Sequence, residues 1–503
     1  MALRKNNLRC IVFFFLSLFA FLCGWAIVSK IVNSNLIVPG VPLVFRSFLN
    51  LFNEKSFYTC LLASFFRVLL SFLMSVCLGL LLGIFAGLFE SFENLIKFPL
   101  SVIRSMPVVS LILIAVFWFD SSFIPVFSAV LMALPVVTDS LAKGIKAAPK
   151  KNLDMAFVYK FTRSQKMRFI YIPSLRPFFE SSCRSSFGMC WKVVAAGEVL
   201  VIPRYALGSM LQGARVHLES ERVLAVTFVI VLCSVFFEFL LDLIFSLRFL
   251  DKLPLKVDLP PVLDFSLSKE FKDVQVGVEN LFMRRGQKIL FDSFSFTFKK
   301  GSVTAFFAPS GTGKTSLLDF MSGILCCDKK NIDGKTLLPQ NSRISYIFQE
   351  GRLLEEFSVL KNVMLPLENF MSKDKAILTA SYFIKKCGLA SKINSLAALL
   401  SGGEKQRVSI ARSFAFGSNI LFMDEPFNSL DIPTKKNIID LLKKLLHEEN
   451  KTVIFVTHDI REAYSLACDF VVMQGSPVQI GLCGQIDSYK SYDDFEQAIF
   501  KSL

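Results

Sequence analysis

The chain has 503 residues, 53% of them hydrophobic and 19% charged, with a formal net charge of +15. Its length is that of two to four domains, and so high an apolar content excludes an ordinary soluble protein. Nearly all the long apolar runs lie before residue 251 with Lys and Arg flanking them, so the charge reads as cytoplasm-facing loops. No aromatic-basic module accompanies it, which argues against a nucleic-acid partner. The 12 cysteines are scattered, several (Cys10, Cys23, Cys77, Cys233) inside apolar runs, and with 3 histidines there is little for a metal centre.

In chain order, Arg4, Lys5 and Arg9 precede an apolar run from Cys10 to Val28. No small-residue cleavage pattern follows, and the run can cross a bilayer, so it reads as a retained signal anchor. Further runs at 58–88, 98–119, 122–142, 178–202 and 223–249 bring the expected spans to six. Pro107, Pro125 and Pro135 interrupt the third and fourth, which membrane helices tolerate where neighbours satisfy the freed carbonyl. An even count puts both termini on one side, and the basic N-terminus makes that side the cytoplasm. The 143–176 loop then faces the cytoplasm too, and it carries Lys143, Lys146, Lys150, Lys151, Lys160, Arg163, Lys166, Arg168 and Arg176.

Within that loop Asp154-Met155-Ala156 is followed by Ile172-Pro173. The pattern resembles the coupling segment of binding-protein-dependent importers, with Asp154 in place of the family's Glu and Lys160 in place of its glycine. Glycine permits a sharp turn there, so this chain must turn otherwise. Pro173 through Pro177, Gly188, Trp191 and Ala195-Ala196-Gly197-Glu198 resemble the fifth-span region of nitrate/sulfonate/taurine permeases. A carboxylate at the end of an apolar run needs a cavity or a partner. Glu198 therefore either faces the translocation path or its outer gate, or pairs at the interface with Arg204 or Lys192. Arg104, before Pro107, resembles a family motif at a cytoplasmic helix end, where snorkelling would account for it.

Residues 251–273 lose the apolar run and contain Lys-Leu-Pro-Leu-Lys and Leu-Pro-Pro, the composition of an extended linker. The expected organisation is a permease domain at 1–250, a linker at 251–273, an α/β domain at 274–484 and a short tail at 485–503. The expected fold class is an all-α polytopic membrane domain followed by an α/β domain.

Phe306-Phe307 ends a predicted strand, and Ala308-Pro309-Ser310-Gly311-Thr312-Gly313-Lys314-Thr315-Ser316 reads as a phosphate-binding loop opening a helix. Backbone N–H groups of Ser310 to Ser316 line such a loop, Lys314 reaches the β and γ phosphates, and Thr315 ligates magnesium. Ala308 replaces the usual first glycine, where the chain approaches phosphate less closely. Ile420 to Met423 is a buried-strand run ending in Asp424-Glu425, with Asp424 placed for magnesium and Glu425 for polarising the attacking water. Ser401, Gly402 and Gly403 open a helix, where bare backbone N–H groups and the helix dipole suit an anion.

Leu400-Ser401-Gly402-Gly403-Glu404 downstream of a P-loop resembles the signature of ABC ATPases, and the likeness spans 274–480. Phe348-Gln349-Glu350 resembles the Q-loop, with Gln349 sensing magnesium and water. Ser429-Leu430-Asp431 resembles the D-loop, and Thr457-His458-Asp459 the switch, with His458 toward the γ-phosphate. The resemblance implies ATP and Mg2+ as cofactors, and signature groups that serve the nucleotide held by a second copy, hence a homodimer. It also implies an importer half-transporter in the inner membrane, its ATPase cytoplasmic, fed a small solute by a separate extracytoplasmic binding protein. Phe282 or Arg285 would stack on adenine. The alternatives are an exporter half-transporter, which usually has longer cytoplasmic helices, and an ABC-powered mechanical or sensory protein, which usually carries a large external domain.

Overall fold

A computed structural model describes residues 2–247, 275–309, 311–328, 330–338, 342–428, 430–449 and 451–502. The described parts of Met1–Ala147 and Ser174–Asp251 form one compact unit, and those of Ala148–Pro173 and Lys252–Leu503 a second. The expected linker at 251–273 lies outside the described residues.

The first unit is helical: α1 (Ala2–Val32), α2 (Val41–Leu51), α3 (Lys55–Leu88), α4 (Glu90–Ser105), α5 (Val108–Ala115) and α6 (Ile124–Lys146), then α9 (Ile172–Val201), α10 (Leu207–Val216) and α11 (Ser220–Leu247). On α3 the buried positions Ser64, Val68, Ser71, Ser75, Gly79 and Gly83 recur every three or four residues, a mainly small-residue face that lets a neighbour's backbone come close. The neighbour is α6. A Cβ at Gly79 would lie 2.6 Å from Val137 Cγ1, one at Gly83 2.7 Å from Leu141 Cβ, and one at Gly87 2.5 Å from Ile145 Cβ. The other side of α3 exposes Leu62, Phe66, Leu70 and Phe85, a composition suited to lipid.

Three described helices, α3, α6 and α11, are long and apolar enough to cross a membrane, or up to four spans if the bent pair α4–α5 counts as one. The expected third span at 98–119 is that pair, bent by 98°. Pro107 precedes α5 and holds Met106 extended, at φ −73° and ψ 129°. Pro125 and Pro135 leave α6 unbroken, one in its first turn and one inside it. The six expected spans are thus not all reached by length and composition. The 30-residue α9 carries Arg176, Glu180, Arg184, Lys192 and Glu198, and the part of α1 from Phe19 to Val32 counts as short.

Two polar expectations change. Glu198 pairs with neither Arg204 nor Lys192. Its buried carboxylate takes Arg67 at 2.9 Å, the Ser64 hydroxyl at 2.8 Å and the Gly208 N–H at 3.1 Å. Arg67 comes from α3, a partner 131 residues away that no local pattern signals. Arg104 does not merely snorkel; it pairs with Asp139 of α6.

The second unit begins with α7 (Lys150–Val158) and α8 (Arg163–Lys166), which sequence reasoning assigned to the permease domain. It continues with β1 (Val276–Arg285), β2 (Lys288–Phe298), β3 (Val303–Phe307), α12 (Lys314–Met321), β4 (Ile332–Leu337), β5 (Ile344–Ile347), α13 (Val359–Met364), α14 (Lys373–Lys386) and α15 (Gly402–Ala415). After these come β6 (Ile420–Asp424), α16 (Ile432–Glu448), β7 (Thr452–Val456), α17 (Ile460–Leu466), β8 (Asp469–Gln474), β9 (Gln479–Gln485) and α18 (Tyr492–Ser502). One sheet has the order β2-β1-β4 and is antiparallel; the other runs β5-β6-β7-β3-β8-β9, parallel except for the edge strand β9. The central strands β3, β6 and β7 are buried along nearly their whole length and mainly apolar, as suits strands covered on both faces. Residues after 484 do not trail free: α18 buries Phe495 and Ile499 in this unit's core.

Candidate nucleotide site and coupling segment

β3 lies between β7 and β8, and its carboxyl end delivers the phosphate-binding loop into α12. Ligands of open α/β sheets bind beyond such strand ends. Gly311 and Gly313 sit at φ +81° and +100°, where side chains are strained, and a Cβ at Gly313 would also meet the Phe291 ring at 3.0 Å. Thr312 closes the loop by donating to the Pro309 carbonyl at 2.8 Å. The buried Lys314 ammonium donates to the carbonyls of Ala308 at 2.6 Å and Pro309 at 3.2 Å. Burial pulls the Lys314 pKa down, against the opposing pull of Glu425 and Asp424. Ser316 lies in the first turn of α12, and Ser310 falls outside the described residues.

The Thr315 hydroxyl donates to Asp424 Oδ1 at 3.2 Å, joining the start of α12 to the end of β6. Burial raises the Asp424 pKa, with the Thr315 hydrogen bond opposing it. A hydroxyl beside a carboxylate is a hard-oxygen donor set that suits magnesium.

Glu425 follows at φ +41°, its N–H bonded to the Val456 carbonyl at 3.0 Å. Its carboxylate accepts from Asn428 Nδ2 at 3.0 Å and lies 3.5 Å from His458 Nδ1. The acid of one strand end and the histidine of the next therefore meet at β6 and β7. Asn428 was not anticipated. Behind His458, Lys435 of α16 pairs with both Asp459 and Glu462 at 2.5 Å.

Ser401 caps α15 reciprocally: its hydroxyl accepts from Glu404 N at 3.3 Å, and Glu404 accepts from Ser401 N at 3.0 Å. Gly402 is exposed, and a Cβ there would meet nothing within 4 Å, whereas one at Gly403 would meet Thr434 Cγ2 at 2.6 Å. Asp431 caps α16 by accepting from Thr434 N at 3.1 Å, so signature and D-loop segments abut; Ser429 lies outside the described residues. None of the described hydrogen bonds joins Ser401, Gly402 or Gly403 to the loop at 308–315. Gln349 is exposed just past β5. Phe282 is half-buried in β1 and Arg285 is exposed at its end.

Residues 150–173 pack beside that Q-loop. Asp154 pairs with Arg352 at 3.4 Å, and the Arg352 guanidinium lies 3.8 Å from the Phe348 ring centre. Lys151 pairs with Glu350 at 2.7 Å. Tyr159 is fully buried, and its hydroxyl reaches the Tyr346 carbonyl at 3.0 Å and Ser413 Oγ at 2.8 Å. The buried Arg412 lies 4.9 Å from the Tyr159 ring and donates to the carbonyls of Gly351 at 2.9 Å and Arg352 at 3.0 Å. The turn expected of glycine is made by Lys160 at φ +53°. Lys160 N bonds Phe157 O at 3.0 Å and Phe161 N bonds Ala156 O at 2.8 Å, the paired bonds of a left-handed helix end. Thr162 then starts α8 in a capping box with Gln165.

Residues 291–428 match the family model described as ABC transporter, and residues 79–247 match that of the binding-protein-dependent transport system inner membrane component. An aliphatic sulfonates import ATP-binding protein of Paracoccus denitrificans is 33% identical over 199 residues, covering 40% of this chain and 79% of that protein. A probable sulfate/thiosulfate import ATP-binding protein of Chlorella vulgaris is 32% identical over 226 residues, 43% of this chain and 94% of its own. A molybdenum import ATP-binding protein of Mannheimia succiniciproducens is 33% identical over 205 residues, and the chain spans only 56% of its length.

Proposed function

The chain belongs to the ABC transporter family, with an importer-type permease and its ATPase in one polypeptide, and from that premise we propose a homodimeric, ATP-driven importer half-transporter of the inner membrane. The observation that carries this reading is the packing of the importer-type segment 150–173 into the ATPase unit, with Asp154 on Arg352 three residues past Gln349. An exporter half-transporter would carry longer helices reaching into the cytoplasm in place of this compact segment.

In this reading ATP is the substrate of the second unit, held by Gly311, Thr312, Gly313, Lys314, Thr315 and Ser316, with Ser310 completing the loop. Thr315 and Asp424 would hold Mg2+, with Gln349 near it, and the ion would neutralise charge developing on the phosphates. Glu425 takes the proton of the attacking water, and His458, held against it, orients that carboxylate and reaches the γ-phosphate. Ser401, Gly402, Gly403 and Asp431 serve the nucleotide of the second copy. In this division the permease is 1–250, the linker 251–273 and the ATPase starts at 274, with the coupling segment working with the ATPase and α18 packed in its core. Closure of the two ATPase units moves 150–173 and, through it, the permease, with termini and ATPase in the cytoplasm. A separate binding protein delivers the cargo. Because several relatives are named for sulfonate, sulfate or molybdenum import, we assign the cargo to small solutes of that kind.

The test is Glu425→Gln in the purified, lipid-reconstituted chain. ATP binding should persist while turnover falls by roughly two to four orders of magnitude, the share a positioned general base supplies. Turnover near wild type would remove Glu425 from the base role.

A further inference from the structure

The hydroxyl of Tyr159 touches two elements that lead to different parts of the nucleotide site. Tyr346 sits on β5, three residues before Gln349, and Ser413 sits on α15, whose first turn carries Ser401, Gly402 and Gly403. Ser413 lies twelve positions along from the N-cap Ser401, roughly 18 Å of rigid helix. The ring is held as firmly as the hydroxyl: it is fully buried, meets Phe416 edge-on at 5.2 Å, and lies against the Arg412 guanidinium. Arg412 in turn grips the Gly351 and Arg352 carbonyls beyond Gln349. The coupling segment thus has one side chain in contact with both the Q-loop strand and the signature helix.

The proton count makes this contact two-way. Ser413 Oγ also reaches the Ser409 carbonyl at 2.8 Å. Three contacts, to Tyr346 O, between Tyr159 and Ser413, and to Ser409 O, share only two hydroxyl protons. Tyr159 can donate to Tyr346 O while Ser413 donates to Tyr159, which ties the coupling segment to β5 and α15 at once. If Ser413 donates to Ser409 O instead, Tyr159 is tied by hydrogen bonds either to β5 alone, through Tyr346 O, or to α15 alone, through Ser413 Oγ.

We propose that Tyr159 is a positioning residue through which the coupling segment sets the placement of the signature helix relative to the Q-loop. This rests on the importer reading and adds to it a residue outside the ATP-binding motifs. Displacing the segment pulls on α15 and β5 together, so the groups that complete the second copy's site move with the permease.

The test is a double-mutant cycle on ATP hydrolysis by the full chain in lipid nanodiscs, with Tyr159→Phe and Ser413→Ala. Tyr159→Phe keeps the buried ring and loses only the hydroxyl. It should lower kcat by roughly three- to ten-fold, the worth of one buried hydrogen bond, with KM for ATP within about two-fold. Ser413→Ala should do the same, and the double variant should be no slower than the slower single one. Unchanged kcat in Tyr159→Phe overturns the proposal. So do losses that multiply in the double variant, or a kcat loss that only mirrors a reduced folded fraction in thermal unfolding. If instead Glu425→Gln leaves turnover intact, the catalytic reading fails while this cycle stays readable.

Discussion

Lys160 does a glycine's work with a full side chain. At φ +53° it occupies the left-handed region, which a residue with a Cβ enters at a penalty of roughly 1–2 kcal/mol. Its carbonyl accepts from Asn369 Nδ2 at 3.0 Å, which helps hold the turn. Lys160→Gly should therefore raise the melting temperature slightly, by at most about 1 kcal/mol of stability. Lys160→Ile, β-branched at positive φ, should lower it, and equal melting of the two variants would contradict this account of the turn. Asp319 gives a pH dependence. Burial, the largest influence, pushes its pKa from 3.8 to about 6, so the folded chain binds that proton more tightly than the unfolded chain. Its contribution to stability is then fully present below about pH 4 and is lost as pH rises through about 6. Asp319→Asn should raise the melting temperature at pH 8 and change it little at pH 4; a larger gain at pH 4 would contradict the sign. The departure at Lys160 could be read in sequence because a family pattern marked the position. Tyr159, Arg352 and Arg412 could not, since the Tyr159 hydroxyl contacts are 187 and 254 residues distant.

Elements divide in the same way. β3 with its loop, and β6 with its two acids, are continuous in sequence, and their apolar runs and glycines state their structure locally. The apolar run at 98–119 carries the interruption expected at Pro107, and the structure makes of it a 98° bend between α4 and α5. Hydropathy measures what a segment tolerates around it and is blind to where its axis turns. Composition also hid the pairing of α3 with α6, although the glycines at 79, 83 and 87 carry that signal once the helix is known. Gly83→Leu should destabilise the permease unit by about 1–3 kcal/mol, because a Cβ there lies 2.9 Å from the Thr138 carbonyl. Leu81→Ala, on the exposed side, should leave melting nearly unchanged. Similar losses from both would mean that the small face is not the packed one.

At the scale of the whole molecule, the segment 150–173 belongs by packing to the unit that binds nucleotide, while the polypeptide on either side of it builds the permease. In the importer proposed above, that arrangement would carry the nucleotide cycle to the membrane helices. In the proposed homodimer, Lys314 of one copy and Ser401 of the other complete one nucleotide site. Mixing Lys314→Ala chains with Ser401→Arg chains tests this most directly. Each homodimer should be inactive, and heterodimers isolated by two affinity tags should regain ATP hydrolysis from a single intact composite site. Confirmed heterodimers that hydrolyse no ATP would contradict sites shared between two copies, and with them the homodimeric transporter.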